Sequence, residues 1–257
     1  MQEDLNALYD WSINWGMEFN VEKCKILRIV RTRTTYDRQY HLGSSQLSVV
    51  QSEKDLGVWL SNTLNWNTHT DNMVAKAQKM LGLLHRTSSD IDDHTVKRLL
   101  YSTWVWSTLE YASPVWSPYK KRNINKIEQV QRQASRLILG HEVDYKSRLE
   151  QLQLLPLYMR REIIDLVFLF KIIYGLVDIP GGFLSWKNTG RCLRNSDDMT
   201  LMVPFARTDV FKFSYFVRVT RLWNSLPYSI RSIQYLSSFK RHLSLYYFKL
   251  FPTAFDP

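Results

Sequence analysis

The chain changes its hydrophobic period near residue 62, and that change limits its fold more than any other feature. Residues 19–30 alternate and are rich in Val, Ile and Leu, so they predict a strand. The run Q-Y-H-L-G-S-S-Q-L-S-V-V predicts a hairpin turning near Gly43 and Ser44. In D-L-G-V-W-L, Leu56, Val58 and Leu60 alternate with Gly57 and Trp59, which predicts a further short strand. From N-W-N-T-H onward the apolar residues recur at helical spacing. A chain patterned in this way is α+β and mainly α, with a small antiparallel β piece ahead of a helical body.

The helical readings carry their own boundaries. Leu5, Leu8, Trp11, Ser12 and Trp15 share one face of a helix over 2–15, and Gly16 is placed to stop it. No capping residue precedes Met1, although Asp4 suits a shorter helix, so this helix reads as cut from something longer. Met73, Ala77, Met80, Leu81 and Leu84 form the next stripe. Asp92 or Asp93 starts a helix that passes Trp104 and breaks at Pro114. A third follows Pro118, buries Ile124, Ile127, Val130, Ala134, Leu137 and Ile138, and ends at Gly140. Residues 158–174 are apolar around most of their circumference and predict a central helix closed by Gly175. Residues 178–204 read as an irregular connection, followed by a helix stopped at Pro227 and a last one carrying Phe239, Leu243, Tyr246 and Tyr247.

Charge narrows the class of partner. The chain has 34 Lys and Arg against 24 Asp and Glu, a basic balance that favours polyanions. The excess is local: residues 120–136 hold six basic side chains and one acidic. Residues 207–249 hold eight and one, interleaved with aromatics. Cations neutralise phosphates and rings stack on bases, so such segments suit nucleic acid. They equally suit a solvated face over an aromatic core. No membrane span is expected, because no apolar run approaches about 18 residues. Cys24 and Cys192 stand far apart and read as reduced core thiols of a cytoplasmic or nuclear protein.

Local catalytic patterns are missing from the sequence. There is no phosphate-binding G-x-x-x-x-G-K, no G-x-G-x-x-G and no G-x-S-x-G. The six histidines lack zinc spacing. Asp92-Asp93 and Asp197-Asp198 read as a helix cap and a polar loop, so no metal site is expected.

The order of segments carries a resemblance. W-x3-W-x-M-x-F-N-x2-K-C-K, then E-K-D-L-G-V, L-E-Y-A-S-P-V-W-S-P and I-E-Q-V-Q-R-Q-A-S-R-L-I-L-G resemble the region downstream of the catalytic aspartates in reverse transcriptases of non-LTR, LINE-type retrotransposons. R-R-E-I-I-D-L, Y-F-V-R-V-T-R-L-W-N-S-L-P and S-F-K-R-H-L are similar to the C-terminal extension of the same polyproteins.

That resemblance implies an RNA-directed DNA polymerase fragment in three parts. Residues 1–62 would close the palm, 63–140 form a thumb-like helical domain and 141–257 a helical extension. Lys23 would lie near the incoming nucleotide as a general acid for pyrophosphate; from its residues alone it is a strand lysine with its ammonium in water. Leu56, Gly57 and Val58 would form a primer-grip turn, where glycine lets a backbone approach a nucleic-acid strand. Lys76, Lys79, Arg86, Lys120, Lys121, Arg122, Lys126, Arg132 and Arg136 would contact phosphates of RNA or an RNA–DNA duplex.

The sequence departs from the family at one decisive point. No aromatic-x-Asp-Asp strand occurs, so Mg2+ is expected only with the complete polymerase, whose N-terminal palm and fingers would be the missing partner. The expectation is a truncated, non-copying binder of template-primer with an exposed sheet edge. A non-catalytic helical protein–protein interaction module is the competing reading.

Overall fold

A computed structural model describes residues 1–29, 38–187 and 199–254. Cys192, Asp197-Asp198 and residues 30–37 lie outside the described residues. The chain divides into two compact units, Met1–His69 and Thr70–Pro257. The second takes in most of the range 63–140 together with 141–257. The described residues are mostly helical with small β elements, as the change of period implies.

The first unit begins with α1 (Gln2–Asn14), which ends at a left-handed Gly16. Its apolar stripe is not a core. Ser12 is buried and Leu5 half-buried, while Leu8, Trp11 and Trp15 stand exposed, Trp15 to 70%. The helix docks through other residues: Gln2 exchanges hydrogen bonds with the backbone of His41 at 2.9 and 3.0 Å. The Tyr9 ring lies over Gly43, where an added Cβ would stand 2.5 Å from the ring.

The predicted strand at 19–30 is shorter than its pattern. Asn20 Oδ1 accepts from the Lys23 N–H at 3.2 Å and closes a 3-10 turn over Val21–Lys23. A side chain that captures a backbone N–H diverts the chain from a ladder. Lys23 therefore sits in a turn, exposed, and only β1 (Lys25–Leu27) is extended. Cys24 is half-buried, not a core thiol.

The hairpin at Gly43-Ser44 is present, with β2 (His41–Leu42) antiparallel to β3 (Ser45–Gln46). β4 (Ser48–Val50) pairs with β1 in parallel, a departure from an all-antiparallel piece. β5 (Ser52–Asp55) and β6 (Val58–Ser61) form a second antiparallel hairpin. Leu56 and Gly57 thus make a two-residue turn and do not belong to a strand.

The second unit is helical. α2 (Asn67–Thr87), which starts at the end of the first unit, buries Met73, Ala77, Leu81 and Leu84. α3 (His94–Leu100) is capped by Asp93, whose Oδ1 accepts from the Thr95 N–H at 2.7 Å. It continues as a π-helical turn over Tyr101–Trp106 into α4 (Ser107–Glu110). α5 (Ser113–Trp116) restarts the chain after Ala112, in the left-handed region, with Pro114 in its first turn. α6 (Lys121–Leu139), α7 (Tyr145–Gln151) and α8 (Leu157–Ile173) follow.

As its apolar circumference predicts, α8 is central. It packs on α5, α6, α10 (Tyr215–Ser225) and α12 (Leu236–Ala254). α9 (Asp209–Lys212) and α11 (Tyr228–Arg231) are single turns beside them. Phe170 stacks on Phe239 with centroids 4.5 Å apart, and Trp223 closes the same core.

Candidate nucleic-acid interface

At 100° per residue, Lys121, Arg122, Lys126, Arg132 and Arg136 fall within an arc of about 140° on α6, and the buried residues fill the opposite side. The exposures agree: Lys121, Arg122 and Arg136 are exposed and Lys126 and Arg132 half-buried. Lys120, at the extended N-cap, is exposed. Lys76, Lys79 and Arg86 form a narrower exposed stripe of about 80° on α2.

Two of these cations have partners within the protein. Lys126 pairs with Asp71 at the start of α2. The Arg132 guanidinium lies 4.3 Å from the Tyr145 ring centroid, a cation–π contact. Arg148 is a member that sequence reasoning missed. It is buried beneath the row, donates from Nε to Ser135 Oγ at 3.1 Å, and bonds the Val143 carbonyl. Burial and the charges of Arg136 and Arg132 lower its pKa.

The buried side of α6 holds that face in place. Glu128 lies at the edge of the buried side, between Ile124 and Lys121 on the wheel, and is 7% exposed. Its Oε1 accepts from the Tyr145 hydroxyl, and its Oε2 accepts from the Leu157 N–H at 2.9 Å. The carboxylate therefore caps the first turn of α8 from another helix. Gln131, one turn on, accepts from the Tyr101 hydroxyl at 3.0 Å and donates to the Leu155 carbonyl at 3.0 Å. Burial pushes the Glu128 carboxyl above its usual range, while the Tyr145 hydrogen bond and the Arg161 charge pull it back. Two fixed polar groups on the inner arc allow one rotation of α6, and that rotation turns the basic arc outward. Gln131, a polar residue inside the Ile/Val/Ala arc of an amphipathic helix, was the signal that would have found this side.

The other predicted residues belong to the first unit. Leu56 has φ +43° and Gly57 φ +89°, so both central residues of the turn are left-handed, as a type I′ hairpin turn requires. Leucine is strained there, yet its side chain is 85% exposed. Val58 points inward and is buried, so of the three it cannot offer its side chain to a ligand. The basic segment 207–249 is partly internal. Arg218 bonds Asp165 at 2.8 Å and the Phe213 and Pro114 carbonyls, and buried Arg231 bonds the Leu226 carbonyl at 2.9 Å.

Among the described residues no three of His, Cys, Asp and Glu gather as a metal-holding group, so the side chains described do not fit a magnesium site. No described helix is long and apolar enough to cross a membrane.

The chain is 28% identical over 145 residues to the RNA-directed DNA polymerase from mobile element jockey of Drosophila funebris. The match covers 54% of this chain and 15% of that relative, so the chain spans a small part of its length. The similarity supports an origin related to reverse transcriptases of transposable elements. No family model matches, and no solved structure matches.

Proposed function

We propose that this chain is a downstream, thumb-containing portion of a non-LTR retrotransposon reverse transcriptase, which grips RNA or an RNA–DNA duplex by its phosphates and does not itself copy it. The observation that carries the reading is the α6 arc, with Lys121, Arg122 and Arg136 exposed on a helix whose inner side is bolted down by Glu128 and Gln131. A preset row of cations binds a polyanion with little ordering cost. The α2 stripe is assigned to the same work, and the strained, exposed Leu56-Gly57 turn to a backbone contact with the primer strand. Lys23, in its exposed turn, is open to a nucleotide in the complete enzyme. Magnesium chemistry is assigned to carboxylates outside the described residues, and no chemical step to this chain.

The test is equilibrium binding of the purified chain to an RNA–DNA duplex across a salt series. A slope of log K against log salt of about −3 to −5 is expected. Reversing Lys121, Arg122 and Arg136 to glutamate should flatten that slope by about three units. Affinity that is indifferent to salt would refute the grip. Primer extension with Mg2+ should give no product.

The exposed Leu8, Trp11, Ile13 and Trp15 on α1 favour a second reading, a protein-interaction face. Capture of a protein partner that survives nuclease treatment, with no salt-dependent duplex binding, would select it.

A further inference from the structure

Residues 207–212, which include α9, are exposed without a break. Phe211 stands 47% exposed and Phe205, just upstream, 82%. Met202, Val203 and Val210 in the same stretch are exposed as well. Apolar surface of this kind is unfavourable in water, and where polar residues rim it, it marks a contact surface. The rim here is basic, because residues 205–213 hold Arg207 and Lys212 against Asp209.

The backbone beneath these side chains is fixed. Thr208 Oγ1 accepts from the Phe211 N–H at 3.4 Å, and the Thr208 and Asp209 carbonyls accept from the Lys212 and Phe213 N–H groups at 2.8 and 2.9 Å. Arg218 donates to the carbonyls of Phe213 and Pro114 at 2.7 and 3.1 Å. One guanidinium thus ties the end of α9 to α5. The half-buried Phe213 ring stacks on Tyr119, with centroids 4.3 Å apart and 3° between planes. Tyr119 directly precedes Lys120, Lys121 and Arg122, all exposed at the start of α6. The Lys212 ammonium is 5.4 Å from that same Phe213 centroid. Lys212 therefore lies beside the start of the α6 basic arc, held there before any ligand arrives.

The rings separate this stretch from α6. The α6 arc presents cations, which suit the phosphates of a duplex. Paired bases are stacked on one another and closed to an aromatic side chain, whereas unpaired bases stack on one while cations track the phosphates between them. We propose that α9 and the residues leading into it bind a single-stranded RNA extension of the duplex held by α6, with bases on Phe205 and Phe211 and phosphates on Arg207 and Lys212. The proposal rests on the reading that the chain grips nucleic acid, and it adds a site that tells unpaired strand from paired.

The test measures binding of the full chain to an RNA–DNA duplex, blunt or with about eight unpaired uridines at either end of the RNA strand. One of the extended duplexes should bind about tenfold tighter than the blunt one. Phe205→Ala together with Phe211→Ala, both at exposed positions, should abolish that gain and leave the blunt-duplex affinity and its salt slope unchanged. Phe211→Tyr, which keeps a ring, should retain the gain. Arg207→Gln together with Lys212→Gln should flatten the salt slope of the extended duplex by about one unit and leave that of the blunt duplex as it was. Equal binding of all the duplexes, a gain that survives the double alanine variant, or an equal gain from an abasic extension overturns the proposal while leaving the α6 grip intact. Capture of a protein that survives nuclease and is lost in the double alanine variant, alongside equal binding of the duplexes, assigns the patch to that partner instead. Blunt-duplex binding that is indifferent to salt sinks the phosphate grip, and this proposal with it.

Discussion

The two units of this chain are held together in different ways. The first, Met1–His69, rests on three short strand pairs and a helix that leaves its tryptophans in solvent. The second, Thr70–Pro257, buries Trp116, Trp223, Phe170 and Phe239 together with a network of Glu128, Gln131, Tyr101 and Tyr145. Apolar area removed from water stabilises a fold by about 25 cal/mol per Å², so the second unit should be much the harder to unfold. The comparison teaches that a sequence rich in aromatics does not put them to equal use. The second unit buries several of them while leaving others such as Phe205 and Tyr235 exposed, whereas the first leaves Trp11, Trp15 and Phe19 at the surface.

The largest effect should come from Glu128→Ala. It leaves the Tyr145 hydroxyl and the Leu157 N–H without their acceptor and removes a negative charge facing Arg161. Breaking a buried charged network costs about 3–5 kcal/mol. Hydrogen exchange should show the loss across α6 to α8 and not in β5 and β6. Uniform loss in both units would break the distinction between them.

Gly43→Ala attacks the other unit. Its φ of +60° and the Tyr9 ring 2.5 Å from a new Cβ both oppose a side chain. A destabilisation of about 2–3 kcal/mol is expected, read as faster exchange in α1 and β2 with the second unit unchanged.

Acidity should move the units in opposite directions. Burial lowers the His69 pKa from 6.5 to about 4. The unfolded chain therefore takes up a proton between these values that the folded chain refuses, and the first unit loses stability as pH falls through that interval. Burial raises the carboxyl pKa values of Glu128 and Asp165 above 4.5 and 3.8 respectively. The folded second unit then holds protons that its unfolded chain has released, so its stability falls as pH climbs through the raised values. Urea melts followed by hydrogen exchange at several pH values would reveal the crossing. Parallel pH profiles in the two units would contradict it.

The smallest effect is a gain. Leu56→Gly relieves a left-handed leucine in the β5–β6 turn and should stabilise that hairpin by about 1 kcal/mol. The same change should weaken duplex binding slightly if the exposed leucine touches the primer strand.

Much of this molecule was legible in its periodicity. The helix ends at Gly16, Gly140 and Gly175 lie where they were read, because caps and stops are local chemistry. The basic arc of α6 was equally plain, since facing follows from 3.6 residues per turn. The strand at 19–30 was misread because the Asn20 turn competes with the alternation, and Leu56-Gly57 because a leucine is an unusual residue for a left-handed turn position, while Val58 does lie in a strand.

What the sequence determined alone was the sorting of residues into strands, helices and faces, since neighbouring positions settle that within a few turns of chain. Tertiary structure decided which faces found partners. It left the α1 stripe open and placed Glu128 under α8. It also stacked Phe213 against Tyr119. These outcomes join residues tens of positions apart, and no local pattern encodes the burial that gives each its charge state and its hydrogen bonds.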